Sequence, residues 1–459
     1  MLKWLILLFR KIRMRLGGGK IGLFQGHGRL ESFDPSSGSA TVSVQPRDAV
    51  GPGPGPAAAS VAKSNKQKWG RDKLPHPQTD YRLSIWAILK NCCGKEFYRF
   101  SMPVEMNEPL SFLQRLTETL EYSDLLEVAG VERNDIRRMQ YVAAFVVSSL
   151  SSNLDRMKKP FNPILGETYE LNRGQEESCC FRVVCEQVSH HPPVSAMWAA
   201  SGRGTYDLEC SVCPQLYFWG RYIEIRPQGS STLRFLKRDD EEYVWSCVEC
   251  RIHNLFIGEL YLEQIGEQVI RCDRTGLSCH IRYLSKKSAD DMHMIEGEII
   301  DTHGSKIVEL TGKWTKEIFF SDRPDTPVWK VHKRPRYSNK YFNFTYMAMS
   351  LNEMPQGARW KRGPNGREAP SIDPLDPSNL APTDSRFRKD IRMLERGDIE
   401  GAADEKLRLE EKQRDVRQVR VDCGAEWTPL WFDKIDDTIW KYSGEYWKRK
   451  SNADLPDLF

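Results

Sequence analysis

The sequence predicts an α+β protein: helices first, then a large curved antiparallel sheet or barrel, then a helical C-terminal part. Three observations carry this. Between Tyr81 and about Asp155, apolar residues recur at helical spacing. From Glu167 to about Phe320 the period drops to two, in runs such as LYFWGRYIEIRP, STLRFLKR and GEIIDTHGSKIVELTGKW broken by Gly, Asp and Asn turns. From roughly Asp390 to Arg420 the chain reads as one highly charged helix, and a Trp- and Tyr-rich tail follows.

The helical region divides into three. Ile85, Trp86, Ile88 and Leu89 give a short amphipathic helix, Leu113, Leu116 and Leu120 share one face of a second, and IRRMQYVAAFVVSSLSSNL gives a third. Asn343-Phe344-Thr345 fits a glycosylation sequon but is inert in a chain read as cytosolic, and Phe342 to Met347 reads as a late strand. His253, His280, His293 and His303 are scattered over strands and turns and read as structural.

Residues 1–80 read as a leader. Its apolar run from Trp4 to Phe9 is too short to span a bilayer, which takes about 20 residues. Basic residues follow the run and no small-residue cleavage site appears, which argues against a secretory signal. An interfacial membrane helix and a passive tail both stay open there. Residues 17–80 are rich in Gly, Pro, Ser and Ala and predict a flexible linker.

Composition narrows the rest. A net charge of +4 on 459 residues is a weak bias toward anionic partners, and nothing marks a nucleic-acid binder. Several of the 12 cysteines are adjacent or nearly so, which suits reduced thiols in cytosol better than disulfides. Cys210-x-x-Cys213 with Cys247-x-x-Cys250 superficially matches a four-thiolate zinc site. Both pairs lie in strand-like segments without a glycine turn, so no metal and no cofactor is expected.

EQVSHHPPVSA, Glu186 to Ala196, is the unusual stretch. Pro192 and Pro193 fix the backbone beside His190 and His191, so two imidazoles are presented rigidly. Such a pair binds a metal, activates a nucleophile or donates to an anion such as phosphate. A metal lacks its third ligand. A Ser189–His190 nucleophile pairs strand neighbours that point to opposite faces, and no G-x-S-x-G elbow exists. Anion recognition remains.

EQVSHHPP is also the signature of oxysterol-binding-protein-related lipid-transfer domains. MPVEMNEPLSFLQRLTETLEY, KKPFNPILGETYEL, LTGKWT, NFTYMAMSLNE, APTDSRFRKDIRMLERGDI and EKLRLEEKQR resemble that family's segments in the same order, from Tyr81 to Phe459. In detail the chain resembles the short members of types 1 and 2. The family's pleckstrin-homology module is absent.

The resemblance implies a near-complete antiparallel β-barrel (about residues 160–350) around a tunnel for one lipid. It implies a lid at about 81–100 carrying Ile85, Trp86, Ile88 and Leu89, helices at about 107–155 and a C-terminal helical subdomain at about 380–459. A phosphoinositide would bury its tails in the tunnel and leave its phosphates at the mouth. There His190, His191, Lys159, Asn162, Lys406, Glu410 and Arg414 would hold them. On spacing alone, Lys406, Glu410 and Arg414 equally fit a solvated salt-bridged helix face, and Arg156, Lys158 and Lys159 are indistinguishable.

The implied function is exchange of a sterol against a phosphoinositide between membranes, without covalent chemistry. A phosphatidylserine/phosphoinositide exchanger and a lipid-responsive interaction protein are the alternatives. The implied location is cytoplasmic, peripheral at anionic membrane surfaces and at endoplasmic-reticulum contact sites. ESFDPSS, Glu31 to Ser37, is a weak match to the family's receptor-binding motif for that organelle.

Overall fold

In the computed structural model, residues 69–79, 102–174, 180–255, 258–286, 288, 291–355, 359–362, 368–371, 380–451 and 453–459 are described. The expected lid residues Ile85, Trp86, Ile88 and Leu89, and the motif Glu31–Ser37, lie outside them. Packing begins before the expected boundary at residue 80: Trp69 and Leu74 are buried in the main core, and Arg173 stacks on the Trp69 ring at 4.6 Å.

A short parallel pair opens the described domain, β1 (Asn107–Ser111) with β2 (Lys159–Phe161). Between them lie three helices: α1 (Phe112–Thr117), α2 (Asp124–Val131) and α3 (Asp135–Ser148). The Gln114 side chain accepts the Ser111 N–H at 2.8 Å, and Asn134 caps α3 by accepting the Arg137 N–H. Leu113, Leu116 and Leu120 are all buried as their spacing predicted, although the last falls in a 3₁₀ turn rather than in α1.

Fourteen strands then form one sheet, from β3 (Thr168–Asn172), β4 (Phe181–His190), β5 (Pro193–Ser201) and β6 (Tyr206–Phe218) through β7 (Ile223–Gln228), β8 (Ser230–Phe235), β9 (Glu241–Ser246) and β10 (Glu249–His253). It continues with β11 (Tyr261–Cys272), β12 (Leu277–Tyr283), β13 (Met294–Ile300), β14 (Lys306–Lys313), β15 (Glu317–Phe320) and β16 (Trp329–Lys330). Every pairing in it is antiparallel. The long strands β6 and β11 fork it. One half of β6 pairs with β8 and the other with β7, and both arms rejoin on β11 through β9 and β10. Gly229 carries the chain between the arms at φ +114°, where a Cβ would meet the Ser211 carbonyl oxygen at 1.9 Å.

The end strands β3 and β16 do not pair with each other among the described residues. Helix α1 packs on β3–β5 and α3 on β12 and β16, so the helices bridge the two ends of a near-complete barrel. Period two gives β4 and β5 two cores. Cys185, Met197 and Ala199 join the main core with the helices. Val184, Val194, Ala196 and Trp198 pack instead under Trp431, Phe432 and Tyr446 of the C-terminal part.

Two expectations are corrected. Phe342–Met347 is not a strand: Thr345 caps a helix, α4 (Tyr346–Ser350), by accepting the Ala348 N–H at 3.2 Å. The charged helix is two, α5 (Lys389–Glu395) and α6 (Ile399–Asp422), broken at Gly397 with φ +84°. Ribbons β17 (Arg359–Arg362) with β18 (Glu368–Ser371) and β19 (Phe432–Lys434) with β20 (Trp440–Tyr442), and α7 (Tyr446–Arg449), complete the chain. No helix among the described residues is long and apolar enough to cross a membrane.

Candidate functional site

The β4–β5 hairpin places the two histidines. Glu186 is fully buried and accepts the backbone N–H groups of Leu430 and Trp431, both at 3.0 Å, which ties the hairpin to the C-terminal part. Gln187 accepts the Ser195 hydroxyl at 2.5 Å and donates to the Ser189 carbonyl at 2.8 Å across a β-bulge. His190 then pairs with Pro193, leaving His191 and Pro192 as the turn. The two rings meet edge to face at 4.8 Å. No hydrogen bond joins the Ser189 hydroxyl to the His190 ring among the described residues.

Strand β2 places Lys159. Asn107 donates its side-chain N–H to the Lys159 carbonyl at 3.1 Å, and Phe161 is buried with Val104, Ile391 and Leu394. The loop after β2 is held by Arg388, which donates to the Asn162 carbonyl at 2.8 Å and pairs with Glu167 and Asp390. The neighbours that sequence could not separate are separated here. Arg156 is buried against Glu108 and Glu118, and Lys158 donates to the Glu105 carbonyl at 2.9 Å.

Helix α6 supplies the third wall. Asp398 caps it by accepting the Gly401 N–H at 2.9 Å, and Ala402 and Leu409 are its buried contacts. Lys406 donates to the Met102 carbonyl at 2.9 Å and pairs with Glu410 at 3.0 Å, while Arg414 stands 3.9 Å from the same carboxylate. Arg408 points elsewhere and pairs with Glu405 at 2.7 Å.

These three walls enclose one open cavity of about 810 Å³. All seven residues expected at a lipid head group, His190, His191, Lys159, Asn162, Lys406, Glu410 and Arg414, line it. Sequence reasoning missed Arg417 and Arg420, which continue the Lys406–Arg414 stripe in steps of three along α6. Extending that helix face past Arg414 by i+3 steps, rather than by the i+4 spacing of the first three, would have found them. It also missed Trp427, Lys434 and Trp440, for which the sequence gives no signal.

The electrostatics favour an anion. Burial, then the neighbouring Lys406 ammonium, push Lys159 down to about 8, against the pull of Glu410. Burial, then His191 and Arg417, push His190 down to about 4, so it is neutral at pH 7. Its Nδ1 is buried without a hydrogen-bond partner among the described residues. Among the charged residues lining the cavity, Lys159, Lys406, Arg414, Arg417 and Arg420 outnumber Glu410 and Glu426, while Arg388 is paired with Glu167 and Asp390 and Lys434 with Asp437. Crowded like charge of this kind is relieved by a bound polyanion. Among the described residues no group of three or more His, Cys, Asp and Glu is placed to hold a metal.

A near-complete antiparallel barrel flanked by helices is the class of domain this chain folds into, and the comparisons agree. The family profile described as Oxysterol-binding protein matches residues 84–451, and the chain belongs to that family. It is 36% identical over 447 residues to oxysterol-binding protein-related protein 2 of Mus musculus, covering 85% of this chain and 88% of that one. It is 36% identical over 449 residues to oxysterol-binding protein-related protein 1 of Homo sapiens, covering 87% of this chain; it spans 45% of that longer relative. Among solved structures, it is similar to the Osh1 ORD domain in complex with ergosterol, with TM-score 0.72, 32% identity, and 85% of this chain and 94% of that one covered. The Osh3 ORD of Saccharomyces cerevisiae in complex with PI(4)P gives TM-score 0.71 and 31% identity, covering 85% of this chain and 98% of that one.

Proposed function

We propose that the protein carries a sterol and a phosphoinositide in turn in one tunnel and exchanges them between membranes. The observation that carries this is the convergence of His190, His191, Lys159, Asn162, Lys406, Glu410 and Arg414 on one cationic cavity. Relatives of the same fold were solved with ergosterol and with PI(4)P, which supports two cargoes for one architecture. The head-group phosphates take the cavity, where Lys159, Lys406 and Arg414 supply charge. An arriving phosphate also reverses the field at His190 and favours its doubly protonated ring. The acyl tails, like the sterol, go to the apolar interior under a lid formed by Ile85, Trp86, Ile88 and Leu89. No bond is made or broken. The protein works in cytoplasm, peripherally at anionic membranes including endoplasmic-reticulum contact sites, with Glu31–Ser37 as a weak receptor motif.

The test is His190→Ala with His191→Ala. Hydrogen bonds to a charged group contribute about 1.5–3 kcal/mol each, so phosphoinositide extraction from liposomes should be lost while sterol binding stays. Arg408→Ala, off the cavity, should leave both unchanged. If the double variant extracts phosphoinositide as wild type does, the head-group assignment is wrong.

A further inference from the structure

A tryptophan stands in solvent at the turn between β6 and β7. Trp219 is 55% exposed, the one tryptophan so placed among the described residues, and Tyr217 beside it is 38% exposed. The hairpin's two faces differ. Leu216 opposite Ile225 and Phe218 opposite Ile223 make one face, where Leu216, Phe218 and Ile223 join a small cluster in which only Leu255 is fully buried. The other face has Tyr217 opposite Glu224.

Glu224 is the pivot of that face. It accepts the Trp219 Nε1–H at 2.9 Å and the Arg251 Nε–H at 2.8 Å, and pairs with Arg226 at 2.7 Å. Burial works against its charge, but the bonds from Arg251 and Trp219 and the two guanidiniums outweigh it and hold the carboxyl below its usual range. One carboxylate is thus enclosed by two cations. The indole N–H is used inside the protein, so the accessible part of Trp219 is ring carbon. Arg221, at the tip, is exposed and has no ion-pair partner among the described residues.

The sheet register says where this tip lies. Val212 of β6 pairs with Ser195, which pairs with Gln187, and the His191–Pro192 turn follows four residues on. Trp219 is seven residues past Val212 in the same direction. The tip therefore emerges at the histidine end of the sheet and runs about 10 Å further along the strand direction, at ~3.3 Å per residue.

We propose that the β6–β7 tip, Trp219 and Arg221 with Tyr217 behind them, seats the protein on an anionic bilayer and so presents the cavity to lipid head groups. Exposed ring carbon beside unpaired cationic charge is the chemistry that partitions into a negatively charged membrane interface. The proposal rests on reading the cavity as a lipid head-group site.

Full-length protein is sedimented with phosphatidylcholine vesicles, with and without phosphatidylserine, free of sterol and phosphoinositide. Trp219→Ala should lower binding to the anionic vesicles about tenfold. Arg221→Glu, which disturbs no contact, should lower it about thirtyfold at low salt and much less at high salt. Tyr337→Ala, removing an aromatic that is 52% exposed elsewhere, should change nothing. Tip variants that sediment like wild type, or wild type that binds neutral vesicles equally well, overturn the proposal. Affinity for a short-chain soluble phosphoinositide is measured on the same variants and should be unaltered. That arm fails separately: if the double-histidine variant keeps this affinity, the cavity reading falls while the vesicle result stands by itself.

Discussion

Lys159 sits where burial and a second ammonium both oppose its charge, and its pKa falls to about 8. Binding a phosphate requires the charged form. Below about pH 8 the empty protein already holds that proton; above it, binding must take one up, so phosphoinositide affinity should fall with rising pH, by up to about tenfold per unit. Stability carries the opposite sign. The unfolded chain keeps the proton up to the usual lysine value of 10.5, so the empty protein gains stability from this group between about 8 and 10.5. Lys159→Arg, whose charge does not titrate, should flatten the affinity profile above pH 8 in a titration with soluble phosphoinositide; an unchanged slope would place the titrating group elsewhere. This role was not legible from residue type. Arg156, Lys158 and Lys159 differ through partners at Glu108, Glu105 and Lys406, and such distant contacts leave no local trace in the chain.

Elements were more legible than residues, where their signal is periodic. The switch to period two announced the sheet, and buried Leu113, Leu116 and Leu120 followed from spacing alone. Punctuation was harder to read. The charged segment looks continuous because α5 and α6 are both polar, yet Gly397 in the left-handed region ends one and Asp398 caps the next. Phe342–Met347 looks like a strand because it is aromatic-rich, yet the Thr345 cap starts a helix. The α6 cap has a consequence for the site, because Lys406 lies two turns beyond it. Asp398→Ala should destabilise the protein by about 1 kcal/mol in denaturant unfolding and weaken phosphoinositide binding modestly through fraying of the first turns. An unchanged midpoint would mean that the Gly397 turn alone fixes the helix start.

At the scale of the molecule, the sequence showed the order of helices, sheet and charged C-terminal part, and family likeness placed the cavity residues. The boundary was misplaced, because a Gly/Pro-rich run hides the point where apolar residues begin to pack. Trp69 and Leu74 are core residues. Removing residues 1–68 should therefore leave thermal stability near that of the whole chain. Removing 1–80 should lower it markedly, since losing one large buried side chain costs about 3–5 kcal/mol; equal melting temperatures would deny Trp69 its place in the core.

If one tunnel serves two lipids in turn, the second must displace the first. Protein loaded with a fluorescent sterol is titrated with vesicles containing phosphoinositide, and the sterol remaining on the re-isolated protein is measured with the phosphoinositide gained. Each phosphoinositide taken up should release one sterol, and the His190→Ala, His191→Ala variant should release none. Protein that carries both lipids at once, or keeps its sterol at saturating phosphoinositide, would contradict it.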